Sequence, residues 1–166
     1  MFLLIIGGLG CMKHRREVLR MMSYGVYILT TKYDEEYSAA TITWVSQASF
    51  EPPMLSVCLK RNSGAYLLVK KRREFILHML NDKQKDFASK FFSTTVKNNQ
   101  ELNGQKFELI NDLPILNAAP SYVCCSVLEI LENGDHPLFL CLIKKVEFKK
   151  NAKPLDLNAT GWKYGG

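Results

Sequence analysis

ATITWVSQASFEPPMLSV, residues 40–57, holds two β-type runs around a polar interruption. The first run belongs to a longer segment, Ser38 to Val45, whose β-branched and aromatic residues favour extended backbone. Its small residues leave room for something to lie flat against the strand. Ser46 to Phe50 reads as irregular, and Pro52-Pro53 stops pairing there, because proline brings no N–H to a ladder. Met54 to Leu59 resumes as a strand, with Leu55, Val57 and Leu59 alternating against Ser56 and Cys58.

Working outward, Ser23 to Thr31 reads as the preceding strand, with a charged turn from Lys32 to Tyr37. Lys13 to Met22 has helix formers and no breaker. Downstream, Arg61 to Gly64 is a turn, Ala65 to Lys71 a short helix and Glu74 to Leu80 a strand. Asn81 or Asp82 can cap a helix from Lys83 to Phe92, on which Phe87, Ala88 and Phe91 share one side. Residues 93–106 read as loop. Phe107 to Ile110, Ser121 to Leu131 and Pro137 to Phe148 read as strands, the last two joined by a hairpin signal at Asn133-Gly134-Asp135. Consecutive strands with short helices between them predict a mainly β fold, an antiparallel barrel, since closure removes exposed edges.

The chain has 166 residues, 47% hydrophobic and 23% charged, which suits one globular domain. The longest apolar run, Met1 to Ile6, is far short of the roughly 20 residues a spanning helix needs, so no membrane segment is expected. The opening MFLLIIGGLGC lacks the basic flank of a signal peptide. Gly8-Leu9-Gly10 hints at a dinucleotide fingerprint, but its third glycine would fall at Lys13. Residues 1–12 read as an N-terminal extension, and residues 13–166 as the domain. Five cysteines without a CxxC pair read as thiols in a reducing cytoplasm rather than a zinc site or disulfide scaffold. The net charge of +6 is scattered and has no recognition-helix motif, so no nucleic-acid partner is expected.

Hydrolytic classes find no support. There is no GxSxG elbow, no P-loop, and His14, His78 and His136 form no triad pattern. His78, alternating within FILHML, reads as a packed or rim residue. Three pieces suit a planar anionic cofactor instead. The strand around Thr41, Ile42, Thr43 and Trp44 offers hydroxyls and backbone groups to the polar edge of a flat ring. Lys60, Arg61, Asn62 and Ser63 open a short helix, where cationic side chains, a hydroxyl and free N–H groups make a phosphate site. Trp44, Phe92 and Tyr164 can cover a ring. Each piece also fits a plainer role, as barrel corner, exposed turn and core.

The stretches YGVYILTT (24–31), ATITWVSQASFEPPMLSV (40–57) and FILHMLNDKQKDFASKFF (75–92) resemble the flavin reductase-like domain of the FMN-binding split-barrel superfamily. The likeness extends to Gly134-Asp135-His136 and Tyr164-Gly165, and it includes the flavin reductase module of diflavin flavoproteins. It implies a six-stranded antiparallel split barrel of Greek-key type with short flanking helices, usually a homodimer. It implies FMN, in some members FAD, and NADH or NADPH as hydride donor. Thr41 to Trp44 would then line the isoalloxazine, Ser46 and Gln47 would hydrogen-bond nearby, and Lys60 to Ser63 would hold ribityl and phosphate. His136 matches the GDH motif, near where nicotinamide approaches. The strand after it, Leu138 to Leu142, lacks the family's frequent Gly-Glu pair, and the loop 32–37 lacks its usual glycine. An electron-transfer module serving a protein acceptor, without efficient NAD(P)H oxidation, is the alternative.

Overall fold

The computed structural model describes residues 12–165. Most of the N-terminal extension, with Cys11 and Gly8-Leu9-Gly10, lies outside the described residues.

β1 (Tyr27–Tyr33) and β2 (Glu36–Ile42) form a hairpin paired from Tyr27↔Ile42 to Tyr33↔Glu36, turned at Asp34 with φ 51°. β3 (Val45–Ser49) and β4 (Met54–Cys58) form the next hairpin. After α2 (Gly64–Arg72) come β5 (Glu74–Met79) and α3 (Lys85–Ser89). The long pair β10 (Ser121–Leu131) and β11 (Leu138–Phe148) completes an antiparallel seven-stranded sheet of order β2-β1-β5-β10-β11-β4-β3. A second sheet holds β6 (Lys97–Asn98), β7 (Glu101–Leu102), β8 (Gln105–Ile110) and β9 (Leu113–Leu116). α1 (Arg15–Leu19) and α4 (Leu157–Thr160) flank the sheets.

The main sheet has seven strands where six were expected, and β3 accounts for a correction. Residues 46–50 were read as irregular, yet Ser46 pairs with Ser56 and Gln47 with Leu55. The prolines sit in the connection, so they do not interrupt the ladder. An edge strand has one side facing solvent, and SQAS needs no apolar alternation to serve there.

The first and last strands of the order, β2 and β3, are joined only by Thr43-Trp44. Ile42 and Val45 therefore lie within about 10 Å, the reach of three extended residues. The sheet must curl back on itself at this corner. The Cys58 N–H donates to the Trp44 carbonyl at 2.9 Å and carries the β3–β4 pairing up to the corner.

Curling buries the central strands on both faces. Leu29, Phe75 and Leu77 pack into one cluster with Ala65, Tyr66 and Val69 of α2, while Ile28 packs into another with Phe91 and Leu102. Cys124 and Cys125 pack in different clusters, as adjacent strand residues should.

His78 is fully buried within this core. The Leu116 N–H donates to its Nε2 at 3.0 Å, so that nitrogen carries no proton and the other ring nitrogen, Nδ1, donates to the Ile28 carbonyl at 3.0 Å. The neutral ring thus ties β1 to β9.

Two helices are shorter than the sequence reading gave, whereas α2 extends one residue past each end of the expected Ala65 to Lys71. α1 covers five residues and buries none, and an unpacked helix of that size has little to sustain it. The helix expected over 83–92 shrinks to Lys85–Ser89, because the Asn81 side chain accepts from the Lys83 N–H and holds a turn before it. The loop 93–106 contains the small β6–β7 hairpin. β9 lies in a stretch for which the sequence reading gave no element; Asn111 and Asp112, both with positive φ, make the tight turn into it.

Candidate functional site

β2, the Thr43-Trp44 corner, the end of β4 and the start of α2 enclose a cavity of about 820 Å³. Ligand pockets span ~300–1,000 Å³. Small side chains at Ala39, Ala40, Gly64 and Ala65 keep it open. At one end, Ser63 caps α2 by accepting from the Tyr66 N–H at 3.2 Å. The N–H groups of Gly64 and Ala65 have no acceptor within the helix, and both residues line the cavity beside Lys60 and Asn62. Asn62 takes φ 63°, a turn conformation asparagine tolerates.

Two buried polar atoms of the lining residues have no hydrogen-bond partner, Thr43 Oγ1 and Trp44 Nε1. Such atoms each cost about 1–3 kcal/mol. The backbone edge of β2 is less free than its sequence suggested. The Thr41 N–H donates to the Phe91 carbonyl, its hydroxyl donates to the Ala88 carbonyl, and the Ala39 N–H donates to Thr95 Oγ1.

Of the residues singled out from sequence, Thr41, Ile42, Thr43, Trp44, Lys60, Asn62, Ser63, Phe92 and Tyr164 line this cavity. Ser46, Gln47, Arg61 and His136 are not in its lining. Ser46 and Gln47 are exposed on β3, where the Ser46 hydroxyl donates to the Gln47 carbonyl. Arg61 turns the other way. Its guanidinium donates to the Glu132 and Gly134 carbonyls, bracing the β10–β11 turn. Arg61→Ala is expected to cost about 1–2 kcal/mol, the value of these bonds, and to speed hydrogen exchange over residues 132–136; unchanged exchange there would refute the brace.

His136 sits behind the lining. Its ring lies 4.6 Å from that of Trp44, its Nδ1 is 3.0 Å from Asp135 Oδ1, and its Nε2 is 2.6 Å from the Tyr164 hydroxyl. The His136 contact holds the Asp135 carboxyl below its ordinary value. Burial, then the charge of Asp135, raises Tyr164. Sequence reasoning missed Ser93, Thr94 and Thr95, whose three consecutive hydroxyls were the available signal, and Trp162 and Lys163. Phe92 meets Trp162 edge to face at 4.6 Å and joins the two missed segments.

The sequence model described as the flavin reductase like domain matches residues 19–163. The chain belongs to that family. The reductase component of a 4-nitrophenol 4-monooxygenase/4-nitrocatechol 2-monooxygenase from Rhodococcus opacus is 29% identical over 140 residues, covering 80% of this chain and 70% of the relative. The diflavin flavoprotein A 2 of Nostoc sp. is 28% identical over 145 residues; the match covers 86% of this chain but 24% of that longer protein. Among solved structures, the styrene monooxygenase flavin reductase of Pseudomonas putida S12 shares the fold, with TM-score 0.74, 22% identity and coverage of 89% and 93% of the two chains. The resemblance drawn from the three quoted stretches is therefore correct. This flavin reductase-like domain is an oxidoreductase of the flavin reductase type.

Proposed function

We propose that the domain, residues 13–166, reduces FMN with NADH or NADPH, with FAD as a second flavin it can take. The observation that carries this reading is one cavity whose lining joins an open helix N-terminus to residues with two unpartnered buried polar atoms. That pattern fits a ligand with an anionic tail and a flat, polar-edged ring. The Gly64 and Ala65 N–H groups, the Ser63 hydroxyl and the Lys60 ammonium would hold the phosphate. Thr43 and Trp44 would meet the ring edge, and Phe92 with Trp162 would shield it from water. When bound, the flavin supplies the two-electron chemistry. The chain's own part is to bind, orient and exclude water.

The reading extends to a homodimer in the cytoplasm that hands reduced flavin to an oxygenase or another electron-accepting protein. The free thiols of Cys58, Cys124, Cys125 and Cys141 suit a reducing compartment, and the Rhodococcus opacus relative is named a monooxygenase component. The test is the visible spectrum of the purified protein mixed anaerobically with FMN and then with NADH or NADPH. The expected result is saturable flavin binding, bleaching of the yellow band, and turnover that rises with added FMN. Tight flavin with negligible NAD(P)H oxidation would instead identify the electron-transfer module, and no flavin binding would overturn both.

A further inference from the structure

Resting on the reductase reading, we propose that the Tyr164 hydroxyl contacts the hydride donor by accepting a hydrogen bond from its carboxamide N–H, and that His136 is a positioning residue acting through Tyr164. The GDH motif alone would give that contact to His136, but the geometry does not leave it free. The Nδ1–H donates to the Asp135 carboxylate, the Tyr164 hydroxyl donates to Nε2, and one side of the ring packs on Trp44. His136 is mostly covered, while Tyr164 is 43% exposed and lines the cavity.

The hydrogen bond to His136 uses the single proton of the Tyr164 hydroxyl. Its oxygen lone pairs remain, so the group presents an acceptor to the cavity. An acceptor fits an amide N–H and would reject a carboxylate. Burial favours the neutral phenol, and the tyrosine gains or loses no proton in the reaction.

Tyr164 also stands where two cavities meet. With Leu157, Trp162 and Lys163 it lines both the large cavity and a neighbouring one of about 250 Å³. The smaller cavity is lined by Arg20 and Lys163 as well, cations suited to the phosphates of a dinucleotide. A donor whose phosphates sit there would reach the flavin past Tyr164. In the step itself the C–H bond of the dihydronicotinamide breaks. The hydrogen leaves with both bonding electrons for the flavin, the nicotinamide is oxidised, and one proton from solvent completes the reduced flavin. Gly165 fixes the segment against Trp44: it takes φ 85°, and a Cβ there would come within 3.2 Å of the indole.

The experiment compares the unchanged protein, Tyr164→Phe, His136→Ala, His136→Gln and the double Tyr164→Phe/His136→Ala. Each is assayed with NADH and with its reduced acetylpyridine analogue, whose ketone has no N–H. Phenylalanine keeps the ring and removes only the hydroxyl. Tyr164→Phe is expected to lower kcat/KM for NADH by roughly three- to tenfold, the worth of one hydrogen bond, and to change it by less than about twofold for the analogue. FMN affinity, from flavin fluorescence, should hold within about twofold. The double variant should be no worse than Tyr164→Phe, and His136→Gln, which still offers an acceptor to the tyrosine, should recover part of the loss in His136→Ala. Equal losses with both donors, or losses that multiply in the double variant, would overturn the proposal while the reductase reading stands. Absence of NADH and NADPH oxidation by the unchanged protein would overturn both.

Discussion

His78→Phe is expected to destabilise the fold by about 2–5 kcal/mol, measured by urea denaturation at neutral pH. Phenylalanine fills a similar space, so the loss comes from two buried groups left without partners, the Ile28 carbonyl and the Leu116 N–H. Each such group costs about 1–3 kcal/mol. The same histidine sets an acid limit on the fold. Burial, aided by the positive charge of Lys149 and partly opposed by the Ile28 bond, pushes its pKa from 6.5 down to about 4. The unfolded chain therefore binds a proton that the folded chain refuses between these values. The stabilisation is fully present above pH 6.5, declines as pH falls through the window, and is gone below about pH 4, a change of about 3 kcal/mol. A denaturation series from pH 7.5 to 4 should show this slope in the unchanged chain and lose His78's share of it in His78→Phe. Equal slopes would show that the ring is not held neutral.

Lys60→Ala is expected to weaken FMN binding by about ten- to a hundredfold, since charge-assisted hydrogen bonds are worth about 1.5–3 kcal/mol. Lys60 shares the cavity end with the free N–H groups of α2, which remain in the variant. Binding should thus survive at reduced strength, with a shallower dependence on salt because one cation is gone. Flavin fluorescence titrations at low and high ionic strength measure both effects. An unchanged dissociation constant and salt slope would move the phosphate away from this helix.

Much of the sheet was legible because β1, β4, β5, β10 and β11 are rich in β-branched and apolar residues, the pattern that buried strands require. β3 was not, because an edge strand is chosen by its neighbour rather than by its own side chains. The site was legible where the chain supplies it in one stretch, as at Thr41 to Trp44 and Lys60 to Ser63. Direction within a stretch was harder. Lys60 and Arg61 are adjacent, yet a turn sends one to the cavity and the other to the carbonyls of residues 132–134. Ser93 to Thr95 and Trp162 to Tyr164 reach the cavity only through tertiary packing, and local pattern carries no information about that. His136 was found by its motif, but its place behind Tyr164 depends on a contact 28 residues away in the chain.

Spacing at the corner between β2 and β3 constrains this domain more tightly than composition does. One residue added between Ile42 and Val45 would have to be absorbed within the two-residue link itself, because pairing with β4 holds β3 in register. It would also carry the Trp44 indole off its seat against His136 and Tyr164. A lengthened 93–106 segment could bulge into solvent, but here growth has nowhere to go. Related chains that keep this architecture should hardly vary in how many residues they place between these two strands.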